Sequence, residues 1–321
     1  MRYQTRHLIE YGLLRGAAAM LNLLPYRLAL TVGWLGARVA FHLIRFRRRE
    51  AERRIRSVFG PAISARRVRA IAWISLRNII FNAIEIMRAH TIDKDWVDRH
   101  IPDFGREIPV VHDLLKQHHG VVIAVPHSGN WDLAGWACNR YGVPMFSVAA
   151  KQKNPLVNDW MNRQRESGMT VLERGGGGAM FKQMLKLLRS GNVLAILPDV
   201  RMKTPDLELP FLGGTINAGR GMAMFAIAAQ VPIVPAIFRR EGWTKHIFTR
   251  LPTLYPDPAR PKEEDAKRLM EAVLRAVDQA IRETPEQWFW YNKRWVLTPV
   301  KEKRKPSTAQ GQQGETHDPR E

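Results

Sequence analysis

Hydrophobic and polar positions change character several times along the chain. Through residues 1–46 apolar residues dominate but are repeatedly interrupted. The run from Leu8 to Leu24 carries Glu10 and Arg15, and Pro25 breaks it. Leu28 to Phe46 then resumes with Leu30, Val32, Trp34, Leu35, Val39 and Leu43, interrupted by Arg38 and His42. This predicts two helices lying in a membrane interface, or one weak span; the second stretch has about the length of a span, but a mid-span arginine is costly. It has no convincing small-residue cleavage site and so reads poorly as a signal peptide. In residues 65–90, Val68, Ile71, Ala72, Leu76, Ile79, Ala83 and Met87 recur at helical spacing along one face. After about residue 110, short apolar runs alternate with helical patterns. Strands are expected at 121–125, 145–149, 169–172, 193–197 and 233–238, and helices at about 130–140, 155–167, 177–190, 217–230 and 261–283. Such alternation predicts an α/β domain, a central mixed sheet flanked by helices, over residues 61–300. Residues 301–321 have almost no apolar content and are expected to form a disordered tail.

The most informative segment is VVIAVPHSGNWDLAGWA, residues 121–137. A run rich in β-branched residues ends at Pro126, His127 follows at once, and Asp132 comes five positions later on the start of a helical pattern. A buried strand therefore delivers a histidine to the mouth of a sheet, with a carboxylate on the following turn. A neutral imidazole with a pKa near about 6.5 can take the proton of an attacking hydroxyl. A carboxylate on its far nitrogen fixes the tautomer and stabilises the imidazolium. Asn130 or Ser128 can cap the new helix. A bare His-x4-Asp spacing also arises by chance as a surface pair or cap; the preceding strand and the flanking Gly129 and Gly135 bring the catalytic reading level with that one.

Further along, Arg163, Arg165 and Arg174 frame a short strand and can direct donors at a phosphate or a thioester carbonyl; solvent-exposed charge is the plainer reading of each. The glycine run Gly175–Gly178 precedes a helix but lacks the Gly-Lys-Ser/Thr ending of a P-loop, and a flexible loop accounts for it. Asp199, in GNVLAILPDV, stands at a strand end as His127 does, and side chains at the ends of neighbouring strands can share one crevice. Phe211 and Leu212 offer an apolar lip for an acyl channel, or ordinary core. The block PEQWFWYNKRW, 285–295, either packs on the sheet or sits at a membrane interface; packing is the preferred reading.

Charge narrows the partners. The chain has 50 Lys and Arg against 30 Asp and Glu, a net charge of +20, which calls for an anionic partner: nucleic acid, acidic lipid or an acidic carrier protein. Zinc-finger spacing, an aromatic RNA-binding signature and an obvious helix-turn-helix are all missing, so nucleic acid is disfavoured. Seven arginines in RFRRREAERRIR, 45–56, follow the apolar helices, a pattern suited to anionic headgroups on a cytoplasmic face; a solvated basic helix face is the alternative. Residues 1–60 thus read as membrane-associating helices with a basic cluster. The single cysteine, Cys138, permits no internal disulfide and reads as packing. The histidines show no convincing zinc spacing, so no metal is expected.

Taken together, HSGNWD at 127–132, NPLVNDWMNRQRESG at 154–168, ERG at 173–175, LPDV at 197–200, LPFLGG at 209–214 and PEQWFWYNKRW at 285–295 resemble the lipid A biosynthesis lauroyl/myristoyl acyltransferase family, within the wider His-x4-Asp/Glu acyltransferases. The resemblance covers nearly the whole chain up to about residue 297. It implies single-step acyl transfer at the cytoplasmic face of a bacterial inner membrane, from an acyl thioester on acyl carrier protein or coenzyme A to a lipid hydroxyl, with no cofactor beyond that co-substrate. Carried over, His127 is the base, Asp132 its partner, Arg165 (or Arg163) a donor- or acceptor-binding residue, and Asp199 an active-site acid. The family often has glutamate in place of Asp132, and glutamine or histidine in place of Val200. HSGNWDLAG is also similar to the mannoside-lipid acyltransferase branch, so a lysophospholipid or a phosphatidylinositol mannoside stands beside a lipid A precursor as acceptor. A non-catalytic lipid-binding peripheral protein is the rival of a different class, although such a protein would be expected to have lost His127 or Asp132.

Overall fold

The computed structural model describes residues 3–173 and 177–297. Its centre is a six-stranded sheet built from β1 (Val121–Ala124), β2 (Met145–Ala149), β3 (Thr170–Glu173), β4 (Val193–Ile196), β7 (Ile233–Glu241) and β8 (Lys245–Arg250), in the order β3-β2-β4-β1-β7-β8. The first five strands run parallel, and β8 closes the β7 edge antiparallel, which makes the sheet mixed. Every residue of β1 is buried, as an interior strand of a parallel sheet with both faces covered requires.

Helices α6 (Phe104–His118), α7 (Trp131–Arg140), α8 (Pro155–Glu166), α9 (Gly177–Arg189), α10 (Gly221–Ala229) and α11 (Lys262–Glu283) flank the sheet, with α5 (Lys94–His100) beside them. Pro155 at the first helical position and the Asn154 carboxamide, which accepts from the Leu156 and Val157 amides, fix the start of α8. The expected helix at 217–230 begins only at Gly221. Residues before it form a hairpin, β5 (Leu207–Phe211) with β6 (Gly214–Ala218). Its two-residue turn, Leu212–Gly213, has both φ angles positive (51° and 78°), the geometry that matches strand twist in tight hairpins.

At the N-terminal end, α1 (Thr5–Leu23) and α2 (Tyr26–Arg38) are separated by Pro25, and α2 continues as a π-helical turn, Val39–Leu43. The chain then bends by 83° into α3 (Arg48–Phe59). Helix α2 packs on α4 (Ala65–Met87), and α1 packs on α8 and α4. Among the described residues α4 is the one helix long and apolar enough by itself to cross a membrane, but half of its apolar window is buried in the fold, as befits a core helix. The outward side of the N-terminal helices is apolar: Leu13, Leu43 and Ile44 are 70%, 76% and 68% exposed. The expected tail, 301–321, lies outside the described residues.

Candidate active site

The parallel register pairs Ala124 of β1 with Ile196 of β4. Three residues beyond each stand His127 and Asp199, so the sheet brings them level at the carboxyl ends of adjacent strands, where open α/β sheets hold their ligands. Asp199 Oδ1 lies 2.9 Å from His127 Nδ1, and Oδ2 accepts from the His127 amide at 2.8 Å and from the Trp288 indole at 2.7 Å. Burial alone would push the Asp199 carboxyl up; the His127 ring, the Trp288 indole and the His127 amide outweigh it and hold the carboxyl below its ordinary 3.8. An ionised carboxylate can only accept, so Nδ1 carries the proton and Nε2 is the ring nitrogen left to act as a base.

The carboxylate on the imidazole is therefore that of Asp199, where the His-x4-Asp spacing had pointed to Asp132. Gly129 turns the chain with φ of +57°, Asn130 caps α7 through the Leu133 amide, and Asp132 on the first helical turn faces α8. There it accepts from Arg165 Nε at 2.8 Å and Nη2 at 3.3 Å, a pair largely out of solvent. The Arg165 guanidinium, expected at the substrate, is committed to Asp132. Arg163 lies on the exposed side of the same helix, and Arg174 lies outside the described residues.

An apolar cavity of about 450 Å³ opens beside His127, lined by Val148, Met180, Phe181, Met184, Ile196 and Phe225 among others. Phe211, expected on its lip, is instead 1% exposed within β5, and its ring sits 6.4 Å from that of Trp288. Hairpin pairing with β6 turns Phe211 into the core, where it supports Trp288. Cys138 is buried in α7, and burial pushes its thiol up to about 12, which removes it as a nucleophile.

Sequence reasoning missed the frame that holds the His127 loop. Buried Glu85 of α4 and buried Arg240 of β7 form a bidentate ion pair at 2.7 and 2.6 Å. Asn130 donates to Glu85 Oε2 at 2.6 Å, Asn82 donates to the Gly129 carbonyl, and Arg240 Nη2 donates to Asn82 at 2.9 Å. From the other side, the Gly129 amide donates to the Gln287 carbonyl at 3.0 Å and the Phe289 amide to the His127 carbonyl at 3.0 Å. The aromatic block at 285–295 thus packs as expected, and it also clamps the loop. An apolar helix face gives no hint that Glu85 is buried; the PEQW run was the available signal for Gln287 and Trp288.

Gly129 has no room for a side chain. A Cβ there would lie 2.2 Å from the Phe238 carbonyl oxygen, in a backbone conformation that L residues rarely adopt. Gly129→Ala is expected to lower stability by at least about 1–3 kcal/mol and to displace His127; thermal unfolding beside an activity assay checks both.

A histidine held by a buried carboxylate thus stands at the strand ends of an α/β sheet and faces an apolar cavity. The family model described as bacterial lipid A biosynthesis acyltransferase matches residues 2–296, and the chain belongs to that family. Among curated relatives it is 26% identical over 218 residues to a phosphatidylinositol mannoside acyltransferase of Mycobacterium tuberculosis, covering 66% of each chain. It is 26% identical to the protein of that name from Mycolicibacterium smegmatis, over 62% of this chain and 64% of that one. It is 25% identical to a lipid A biosynthesis acyltransferase of Haemophilus influenzae, over 56% and 55%. The matched regions thus span about two thirds of the mycobacterial relatives and just over half of the Haemophilus one.

Proposed function

We propose that this protein moves a fatty acyl chain from an acyl thioester to a hydroxyl of a membrane glycolipid, with His127 as general base. The observation that carries this reading is the His127–Asp199 pair opening on the apolar cavity. His127 Nε2 takes the hydroxyl proton as the oxygen attacks the thioester carbonyl. The tetrahedral intermediate collapses with loss of the thiolate, and the imidazolium returns the proton to that sulfur. Asp199 keeps Nδ1–H in place and stabilises the transient cation. The cavity takes the acyl chain, each buried methylene contributing about 0.8 kcal/mol. The exposed apolar side of the N-terminal helices and the arginines that follow lie on an anionic membrane surface. The donor is acyl carrier protein, whose acidic surface suits a chain of net charge +20, or coenzyme A.

The names of the relatives support two acceptor classes, a lipid A precursor and a phosphatidylinositol mannoside. The test is transfer of labelled acyl groups from acyl carrier protein and from acyl coenzyme A, by membranes containing the protein, to each of these and to lysophospholipids. Transfer to one glycolipid class is expected. No transfer to any acceptor, with membrane binding intact, would return the protein to the lipid-binding reading.

A further inference from the structure

Two lines of polar contacts run from the N-terminal helices to the first turn of α7, the turn that follows His127. The first starts at the corner between α1 and α2. Tyr26, the first residue of α2, donates its hydroxyl to Glu85 Oε1. Glu85 Oε2 accepts in turn from Asn130, which caps α7, at 2.6 Å. The second line starts on α1. Asn154 Nδ2 donates to the His7 carbonyl and to Glu10 Oε2, both at 3.0 Å, while its Oδ1 caps α8. Helix α8 carries Arg165, and Arg165 holds Asp132, the second residue of α7. Glu85, Asn130, Asp132 and Asn154 are all buried, so a tie broken at one end leaves a polar group unsatisfied away from water.

The membrane ends of both lines adjoin exposed apolar side chains. Leu23, 86% exposed, and Leu28 flank the corner that carries Tyr26, and Leu8 and Ile9 lie between His7 and Glu10. Apolar packing of the α1–α2 corner on α4 is modest. It forms a cluster of its own, with Leu21, Ala29, Leu30, Phe81 and Ile84 as its buried members, apart from the two larger clusters about the sheet. A unit held by few buried apolar contacts opens more readily than the core. A bilayer that takes up the outer face binds the arrangement in which that face is fixed, and so draws the equilibrium toward it.

We infer that Tyr26 and Asn154 are positioning residues, which link the seating of the N-terminal helices on a bilayer to the orientation of His127. The inference rests on the acyl-transfer reading for what His127 does; the linkage concerns the setting of its ring, with or without turnover.

The test uses a variant that cuts both lines and spares their frame. Tyr26→Phe removes the hydroxyl and leaves the Glu85–Arg240 pair whole. Asn154→Ser keeps a cap on α8 and removes the amide that reaches α1. The double variant is expected to float with vesicles of phosphatidylcholine and phosphatidylglycerol as wild type does. Its kcat for acyl transfer is expected to fall about tenfold at an unchanged donor KM, as the loss of two ordinary hydrogen bonds implies. The nitrogen-15 signals of the His127 ring are expected to move when wild type binds nanodiscs of the same two lipids, free of donor and acceptor, and to stay in place in the double variant. The inference is overturned if the wild-type signals do not move, or if the double variant responds and turns over as wild type does. It is equally overturned if kcat falls only in step with lost vesicle binding. Should the double variant fail to fold, the wild-type response to empty nanodiscs and the Tyr26→Phe single variant decide in the same way. A ring that responds to the bilayer in a protein without acyl transfer would sink the enzymatic reading and leave the linkage standing.

Discussion

Replacing His127 by alanine is expected to lower acyl transfer by about 10²–10⁴-fold, the span that a positioned general base contributes. Asp199→Asn should approach the same loss, up to about 10⁴-fold, with the fold intact. An asparagine amide at that position can donate to Nδ1 and so favours the tautomer with the proton on Nε2, which cannot accept from a hydroxyl. Asp132 and Arg165 should behave differently, as one coupled unit. In a double-mutant cycle, Asp132→Asn and Arg165→Gln should show an interaction of about 0.5–3 kcal/mol, whereas Asp132→Asn and Arg165→Gln should each couple weakly with Asp199→Asn. Single-turnover rates on purified variants, with unfolding curves alongside, read both outcomes. Strong coupling of Asp132 to Asp199 would mean that both carboxylates act on the imidazole.

Glu85→Ala is expected to cost about 3–5 kcal/mol, because it strands the Arg240 charge in a fully buried place. Asn130 and Tyr26, which also donate to Glu85, would lose their acceptor, and the His127 loop would loosen with them. The double variant Glu85→Leu/Arg240→Leu should lose less stability than Glu85→Ala, since no charge is left unpaired. The same cluster sets the acid response. Burial raises the Glu85 carboxyl, but Arg240 and His246 override it and bring it well below 4.5. Burial, then the Arg240 charge, lower His246 below its usual 6.5, and Asp199 is lowered too. All three groups bind fewer protons folded than unfolded, so their stability is present above the unfolded pKa values and is lost as pH falls through the folded ones. Tm should therefore begin to fall as pH drops below about 6.5, where unfolded histidine takes up its proton, and fall further below about 4.5 as unfolded carboxylates do. His246→Gln should flatten the first part of that decline. A Tm that rises on acidification would contradict the assignment of these groups.

The strands carrying His127 and Asp199 were legible because each is a short apolar run with a polar residue at its end. That the two could share one crevice was legible as well; that Asp199 takes the imidazole was not, because it depends on the register that sets Ala124 against Ile196, a relation across 72 residues. Local spacing suggested Asp132 instead, and the positive φ at Gly129, which turns the following helix toward α8, has no signature that separates it from any loop glycine. The β5–β6 hairpin escaped notice because its turn uses Leu212, a residue seldom found at positive φ, and the same turn drew Phe211 out of the expected channel. Strand β8 was missed because its residues, Lys245 to Arg250, alternate weakly along a sheet edge. Glu85 and Arg240 are 155 residues apart, Glu85 within an apolar helical pattern and Arg240 just past the expected strand 233–238, so only the folded chain reveals them as a pair.

The central claim is that His127 presents an unprotonated Nε2 while Asp199 holds the proton on Nδ1. Nitrogen-15 NMR of the His127 imidazole, assigned by its loss in His127→Ala, tests it most directly. The account predicts a protonated Nδ1 and a bare Nε2 in the neutral wild-type ring, with the tautomer reversed in Asp199→Asn and kept in Asp132→Asn. A wild-type ring with its proton on Nε2, or a tautomer that follows Asp132 and ignores Asp199, would contradict it.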